Sequence, residues 1–177
     1  MNRTRVFLAS SLDGFIAGPH DEIDWLEGTG GEVEDTFGPF FAEIGALLMG
    51  RRTFDVLCGF EDWPYGDTPL LVATHRPLHA VRSTVRPLGG SIVELVEEAR
   101  RVAGDRDVYI DGGRLVRSAL DAGLVDEITV TMIPIVLGAG LPLFAGVARR
   151  HPLELGSARE IGGGLVQLVY RPRGPLG

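Results

Sequence analysis

Short apolar runs, each closed by turn residues, recur along the chain at intervals that leave room for a helix between them. Runs of this length bounded by glycine, proline or polar residues are typical of buried strands. They predict strands at 5–10 (RVFLAS), 46–50 (ALLMG), 69–77 (PLLVATHRP), 107–113 (DVYIDGG) and 126–136 (DEITVTMIPIV). Two more strands are predicted at 153–161 and 165–172, on either side of a GGG turn.

The segments between the strands have apolar residues at helical spacing. They predict helices at 34–43, 52–60, 91–102 and 114–123. Ser91 followed by Glu94 has the pattern of a capping box at the start of the third helix. Residues 15–32 contain several glycines and a proline, and we expect a long functional loop there. Alternating strands and helices followed by a hairpin predict an α/β fold with a mostly parallel sheet and an antiparallel edge.

Sheets of this kind bind ligands outside the carboxyl ends of their strands. One such end is LLMGRRTF (47–54), where Gly50 is followed by Arg51, Arg52 and Thr53. A helix N-terminus carries unpaired amide donors and roughly half a positive charge, so two arginines there are unfavourable unless an anion is present. This stretch alone is compatible with an anion site or with two solvated arginines that cover the sheet edge.

Two further strand ends have a similar composition. In VYIDGGRLV (108–116), Gly112 and Gly113 precede Arg114; the glycines allow a ligand to approach the backbone or simply form a tight turn. The third end carries Thr74, His75 and Arg76. Three anion-suited ends on one sheet predict a large polyanionic ligand of dinucleotide size, although no GxGxxG fingerprint is present.

Composition narrows the function further. The 177 residues fit one domain, 1–177, and their single cysteine, Cys58, excludes an internal disulfide and a zinc cluster, so no metal is expected. All 17 basic residues are arginine, which excludes Schiff-base chemistry. A net charge of -7 argues against nucleic acid as a partner. No signal peptide or membrane span is expected, so the predicted location is the cytoplasm.

With these motifs in order, the chain resembles the dihydrofolate reductase superfamily, and in particular stand-alone relatives of the reductase domain of the bifunctional riboflavin-biosynthesis deaminase-reductase. The resemblance rests on SLDGFIAG, LLMGRRTF, LLVATHRP, VYIDGGRLV and PIVLGAGLPLF. It implies a three-layer α/β sandwich with helices on both faces of the sheet. It also implies NADPH as the cofactor and a homodimer to which the region TMIPIVLGAGLPLF contributes. We expect no deaminase half, because the sequence has no HxE…PCxxC pattern.

The resemblance also assigns roles to residues. The cofactor-binding set it implies is Gly14, Gly50, Arg51, Arg52, Thr53, Thr74, His75, Arg76, Gly112, Gly113 and Arg114. Within this set, residues 51–53 hold the 2'-phosphate and the pyrophosphate, 74–76 flank the adenosine, and 112–114 cradle the pyrophosphate. Asp111 departs from the three glycines typical of dihydrofolate reductases.

On the substrate side, the resemblance implies that Ser10 and Asp13 line the site and that Trp25 belongs to a lid. Glu34 and Asp35 are the candidates for a catalytic carboxylate; the alternative is that they are ordinary acidic residues at a helix start. No arginine lies between Val6 and Gly50, so we expect a neutral or cationic substrate.

The function that follows is an NADPH-dependent reductase that transfers a hydride to a small pterin-like or aminopyrimidine-like heterocycle. The alternative is a nucleotide-binding or small-molecule-binding protein that has kept the fold without turnover.

Overall fold

The computed structural model describes residues 2–27, 30–79 and 82–174. Its strands are β1 Thr4–Ser11, β2 Phe15–Ala17, β3 Ile44–Gly50, β4 Leu70–Ala73, β5 Val85–Leu88, β6 Asp107–Asp111, β7 Glu127–Ile133, β8 Leu141–Pro142, β9 Leu153–Glu160 and β10 Val166–Pro172. Its helices are α1 Phe37–Phe41, α2 Arg51–Leu57, α3 Ile92–Ala103 and α4 Gly113–Asp121, with a short 3-10 helix at Asp24–Glu27.

Eight strands form one sheet in the order β5-β4-β3-β6-β1-β7-β10-β9. Neighbours from β5 to β7 are parallel, and β10 runs antiparallel to both β7 and β9. The mostly parallel sheet with antiparallel C-terminal strands is therefore confirmed. Strands β2 and β8 form a separate antiparallel pair beside it.

Helices cover both faces of the sheet, because successive strand residues point to opposite sides. In β3, Leu48 packs in a cluster with α3 and α4, whereas Leu47 and Met49 pack with Phe54 of α2 and Phe40 of α1. All three β3 residues are fully buried, so β3 has the continuous apolar run of a strand covered on both faces. The three-layer arrangement is confirmed.

Several predicted boundaries were wrong. The helix predicted at 34–43 is confined to Phe37–Phe41, and Ile44 already belongs to β3. The strand predicted at 126–136 ends at Ile133 because Pro134 cannot donate to a sheet. Strands β2, β5 and β8 were not predicted, since two to four residues give too little periodicity.

The loop predicted at 15–32 contains β2 and the 3-10 helix; its residues Gly28 and Thr29 lie outside the described residues. The capping box of α3 is confirmed: the Ser91 hydroxyl accepts from the Glu94 amide, and the Glu94 carboxylate accepts from the Ser91 amide. None of the described helices combines the length and the apolar character that crossing a membrane requires.

Candidate functional site

Three polar strand ends meet at one edge of the sheet. β4, β3 and β6 are adjacent, and their last residues are in register, with Gly50 opposite Ala73 and Met49 opposite Asp111. The turns that follow them open into a cavity of about 890 Å³. All ten of the predicted cofactor residues from these three turns line this cavity: Gly50, Arg51, Arg52, Thr53, Thr74, His75, Arg76, Gly112, Gly113 and Arg114.

The glycines of the β6 turn allow two chain segments to approach each other. Gly112 has a φ of 104°, and a Cβ there would lie 2.6 Å from Thr53 Oγ1. At Gly113 a Cβ would lie 2.8 Å from Ile16 Cδ1 of β2. The turn is therefore tight, and it brings the backbone against the first turn of α2.

The adjacent arginines of α2 diverge, and each is held at Nε by a carboxylate. Arg51 Nε donates to Asp55 Oδ1 at 2.7 Å, and its Nη1 donates to the Pro77 carbonyl at 3.1 Å. Arg52 Nε donates to Asp21 Oδ1 at 2.6 Å. The electrostatic cost of two cations at a helix start is thus offset by protein carboxylates, and Arg51 lies beside the turn that follows β4.

Two further arginines and a histidine line the cavity and differ from Arg51 and Arg52. The side chains of Arg76, Arg114 and His75 form no hydrogen bond or ion pair with any residue that the structure describes. Arg76 and Arg114 are exposed and follow the ends of β4 and β6. Arg117 differs, because its Nη1 donates to the carbonyls of Pro142 and Leu143 and fixes β8 against α4. Unengaged guanidinium groups beside backbone amides form a site suited to phosphate.

Part of the cavity wall is apolar, and we call it the apolar wall. β1 and α2 contribute Phe7, Ala9 and Val56 to it, and the segment after β2 adds Ile23 and Leu26. β1 and the segment after β2 contribute no arginine to the cavity, because none occurs between residues 6 and 50.

Asp111 also lines the cavity, at the last position of β6. Its Oδ1 accepts from the Gly112 amide at 2.7 Å. Burial raises the pKa of Asp111 to about 6, against the opposing effects of the Gly112 amide and the Tyr109 hydroxyl. Desolvation of a carboxyl that lacks a cationic partner has this direction. Sequence reasoning noted Asp111 only as a departure from a glycine pattern; the signal that could have identified it was an acidic residue at the carboxyl end of a buried strand.

Tyr109 stands next to Asp111 on the same wall. Its hydroxyl donates to the Phe7 carbonyl at 2.7 Å, and burial raises its pKa well above the ordinary value. The hydroxyl is therefore neutral at physiological pH and remains a hydrogen-bonding group of the cavity wall.

Four residues predicted near the nicotinamide and substrate lie outside the cavity wall. Ser10 is buried and donates to the Ser11 carbonyl, and Gly14 has a φ of 87° in the turn after β1. Asp13 accepts from the amides of Leu137 and Gly138, which ties that turn to the segment after β7. The Ser11 hydroxyl, together with these amides, lowers the pKa of Asp13. Trp25 is buried in a cluster with Ile133, Ile161 and Leu165.

The two candidate catalytic carboxylates are also separate from the cavity. Glu34 is paired with Arg159 of β9, which lowers the Glu34 pKa, and Asp35 Oδ1 accepts from the Gly38 amide at the start of α1. Both residues are exposed, and neither lines the cavity. The observed contacts correspond to the alternative interpretation, ordinary acidic residues at a helix start.

A family model for the RibD C-terminal domain matches residues 63–167. The chain belongs to the RibD C-terminal domain family. The match runs from the segment before β4 to β10 and includes the turns after β4 and β6. A curated relative supports the assignment over almost the full length: the uncharacterized protein YyaP of Bacillus subtilis (strain 168) is 30% identical over 179 residues, which cover 94% of this chain and 93% of YyaP.

Solved structures agree with this RibD C-terminal domain assignment. A putative riboflavin biosynthesis protein from Shewanella sp. PV-4 superimposes with a TM-score of 0.87 at 29% identity, over 97% of this chain and 99% of that chain. The diaminohydroxyphosphoribosylaminopyrimidine deaminase/5-amino-6-(5-phosphoribosylamino)uracil reductase of Thermotoga maritima shares the fold, with a TM-score of 0.67 at 15% identity, over 97% of this chain and 57% of that longer chain.

Proposed function

We propose that this protein is an NADPH-dependent reductase of a small heterocyclic substrate. The observation that carries the proposal is the convergence of three adjacent strand ends on one cavity, where two arginines have no partner among the described residues. The RibD C-terminal domain family supports oxidoreductase chemistry, and one structural relative is described as a reductase. NADPH would supply the hydride, while the protein supplies binding, orientation and electrostatics.

The cations divide into two groups that suit the two phosphate positions of NADPH. Arg51 is held beside the turn after β4 by the Pro77 carbonyl, and Arg76 belongs to that turn. We assign this pair to the 2'-phosphate, for which planar guanidinium groups are well suited. Arg52 and Arg114 are assigned to the pyrophosphate, together with the amides at the start of α4.

The substrate would lie against the apolar wall of the cavity. Apolar walls suit a flat heterocycle, and Asp111 is the carboxyl available there to accept from ring or amino N–H groups. With a pKa of about 6, Asp111 can also hold a proton and donate it to the reduced substrate. The absence of arginine from this part of the wall favours a neutral or cationic substrate over an anionic one.

A homodimer is also proposed. Residues 154–160 of the edge strand β9 are exposed on both faces, and Leu155 has 54% of its surface accessible. An edge strand of eight residues with open hydrogen-bonding groups is a surface that proteins ordinarily cover. A second copy of the chain would cover it and continue the sheet.

The proposed activity is tested by titrating NADPH and NADH while following nicotinamide fluorescence, and then adding pterins and aminopyrimidines while following nicotinamide absorbance. Saturable NADPH binding with oxidation by at least one heterocycle is the expected result. Binding without oxidation across a broad panel would favour the non-catalytic alternative, and failure to bind either cofactor would remove both.

A further inference from the structure

An ion pair joins two segments of the cavity wall. Arg52, in the first turn of α2, donates from Nε to Oδ1 of Asp21 at 2.6 Å. Asp21 belongs to the segment 18–23, which we call the rim loop and which connects β2 to the 3-10 helix. Both residues line the cavity. The contact therefore links the phosphate-binding turn to a loop that is distant from it in sequence.

The rim loop is folded so that Asp21 points its carboxylate to Arg52. Asp21 has a φ of 68°, and it is the one non-glycine residue with positive φ in the described part of the chain. Aspartate is among the few residues that adopt this conformation readily. The loop closes through the Gly18 amide on the Glu22 carbonyl at 2.8 Å and the Asp21 amide on the Gly18 carbonyl at 3.2 Å.

The contact leaves most of the Arg52 guanidinium available. Only Nε is engaged, and within the described residues neither terminal nitrogen has a partner. Since a guanidinium has five donors in a fixed plane, its terminal nitrogens can bind a phosphate while Nε stays on Asp21. The arrangement resembles that of Arg51, which Asp55 holds at Nε in the same way.

The rim loop leads directly into the apolar wall of the cavity. Ile23 and Leu26 follow Asp21 by two and five residues, and both line the cavity. Trp25 lies between them; it is buried in the core, and its Nε1 donates to the Glu22 carbonyl. Asp21 is therefore close in sequence to two residues of the apolar wall and to a tryptophan that can report on this segment.

We propose that Asp21 is a positioning residue that acts through Arg52: it orients the guanidinium for a cofactor phosphate and couples phosphate binding to the conformation of the rim loop. This inference rests on the proposed function, because it takes the anion to be the NADPH pyrophosphate. Asp21 itself touches neither the cofactor nor the substrate in this scheme. It determines how well Arg52 is oriented, and it transmits the binding of a phosphate at Arg52 to Ile23 and Leu26.

A double-mutant cycle tests the coupling. NADPH dissociation constants are measured for the wild type, Asp21→Ala, Asp21→Asn, Arg52→Gln and the double variant Asp21→Ala/Arg52→Gln. We expect Asp21→Ala to weaken binding about fivefold or more in the wild type and by less than about twofold when Arg52 is already glutamine. Asp21→Asn should lose less, because asparagine tolerates positive φ and keeps an accepting oxygen.

A second measurement reads the rim loop itself. The chain has two tryptophans, so Trp63→Phe leaves Trp25 as the reporter. NADPH should change Trp25 fluorescence in the Trp63→Phe protein, and this change should be lost when either Asp21→Ala or Arg52→Gln is added. Glu61→Gln, an exposed carboxylate outside the cavity, is the matched control and should leave both readouts unchanged.

Tighter or unchanged NADPH binding by Asp21→Ala would overturn the proposal, and so would an equal loss in both Arg52 backgrounds. If the wild type binds neither NADPH nor NADH, the proposed function fails on that measurement alone. The loss of affinity caused by Asp21→Ala is then measured with inorganic pyrophosphate as the probe, once with Arg52 intact and once with Arg52→Gln. The same outcomes decide the coupling.

Discussion

Gly112 and Thr53 are so close that a Cβ added to Gly112 would lie 2.6 Å from the Thr53 hydroxyl oxygen. This approach joins the turn after β6 to the first turn of α2, and both turns carry predicted phosphate ligands. Gly112 also has a φ of 104°, a conformation that residues with a side chain rarely adopt. The geometry of the anion site therefore depends on a residue that has no side chain.

Gly112→Ala should destabilise the fold by about 2 kcal/mol or more, because it adds a steric clash to an unfavourable backbone conformation. It should also weaken NADPH binding. Gly104→Ala is the control, since Gly104 has a φ of 64° but open space around its Cα. The free energy of unfolding of both variants is measured by urea unfolding. A loss no larger for Gly112→Ala than for Gly104→Ala would show that the contact with Thr53 is unimportant.

Asp111 should make the stability of the protein depend on pH. Its folded-state pKa of about 6 lies above the ordinary value of 3.8, so the folded state binds the proton more tightly. The stabilising contribution of Asp111 to the free energy of unfolding is then fully present below about pH 4 and is lost as the pH rises through about 6. Asp111→Asn should remove this loss and raise the free energy of unfolding at pH 8 by up to about 3 kcal/mol, with little change at pH 4.

Urea unfolding at pH 4, 6 and 8 measures this dependence. Asp62→Asn, which changes an exposed carboxyl, should leave the pH profile as it is in the wild type. An Asp111→Asn profile parallel to that of the wild type would mean that the Asp111 pKa is not raised in the folded state.

Substitution of Asp111 also tests which carboxyl donates the proton to the substrate. If Asp111 donates to the substrate, Asp111→Asn should lower kcat/KM by about 100-fold or more with whichever heterocycle is turned over best. Glu34→Gln and Asp35→Asn should each change kcat/KM by less than about threefold, because neither carboxylate reaches the cavity. The reverse order of effects would restore Glu34 or Asp35 as the catalytic group.

The dimer proposal predicts that size-exclusion chromatography with light scattering gives twice the mass of one chain. Leu155→Asp places a charge on the exposed edge strand β9 and should shift the protein to a monomer. Val93→Asp, on the exposed side of α3, is the control and should leave the mass unchanged. A monomeric wild type would refute the dimer.

The strand ends were predictable because a buried apolar run followed by glycine and arginine is a local signal. β3 and β6 each show it, and parallel pairing then brings their turns together without further information. The positions of Ser10, Asp13 and Trp25 were not predictable in this way. Trp25 packs on Ile161, more than 130 residues away, and Asp13 caps amides of a segment that follows β7. Such contacts depend on the order of strands in the sheet, which no local pattern specifies.

Asp111 illustrates the same limit at the site itself. The sequence shows an acidic residue where a glycine was expected, but its raised pKa arises from burial, which only the folded chain produces. Likewise, the GRRT stretch predicts cations at a helix start, whereas their carboxylate partners include Asp21, 31 residues earlier.

The central claim is that these strand ends bind NADPH through its phosphates, with Arg51 and Arg76 at the 2'-phosphate. Its most direct test is a fluorescence titration of NADPH and NADH into the wild type and the Arg51→Gln/Arg76→Gln variant, with Arg82→Gln, outside the cavity, as the control. We predict that the double variant weakens NADPH binding at least about tenfold while NADH binding changes by less than about threefold. Equal losses for the two cofactors, or no NADPH binding by the wild type, would contradict the account.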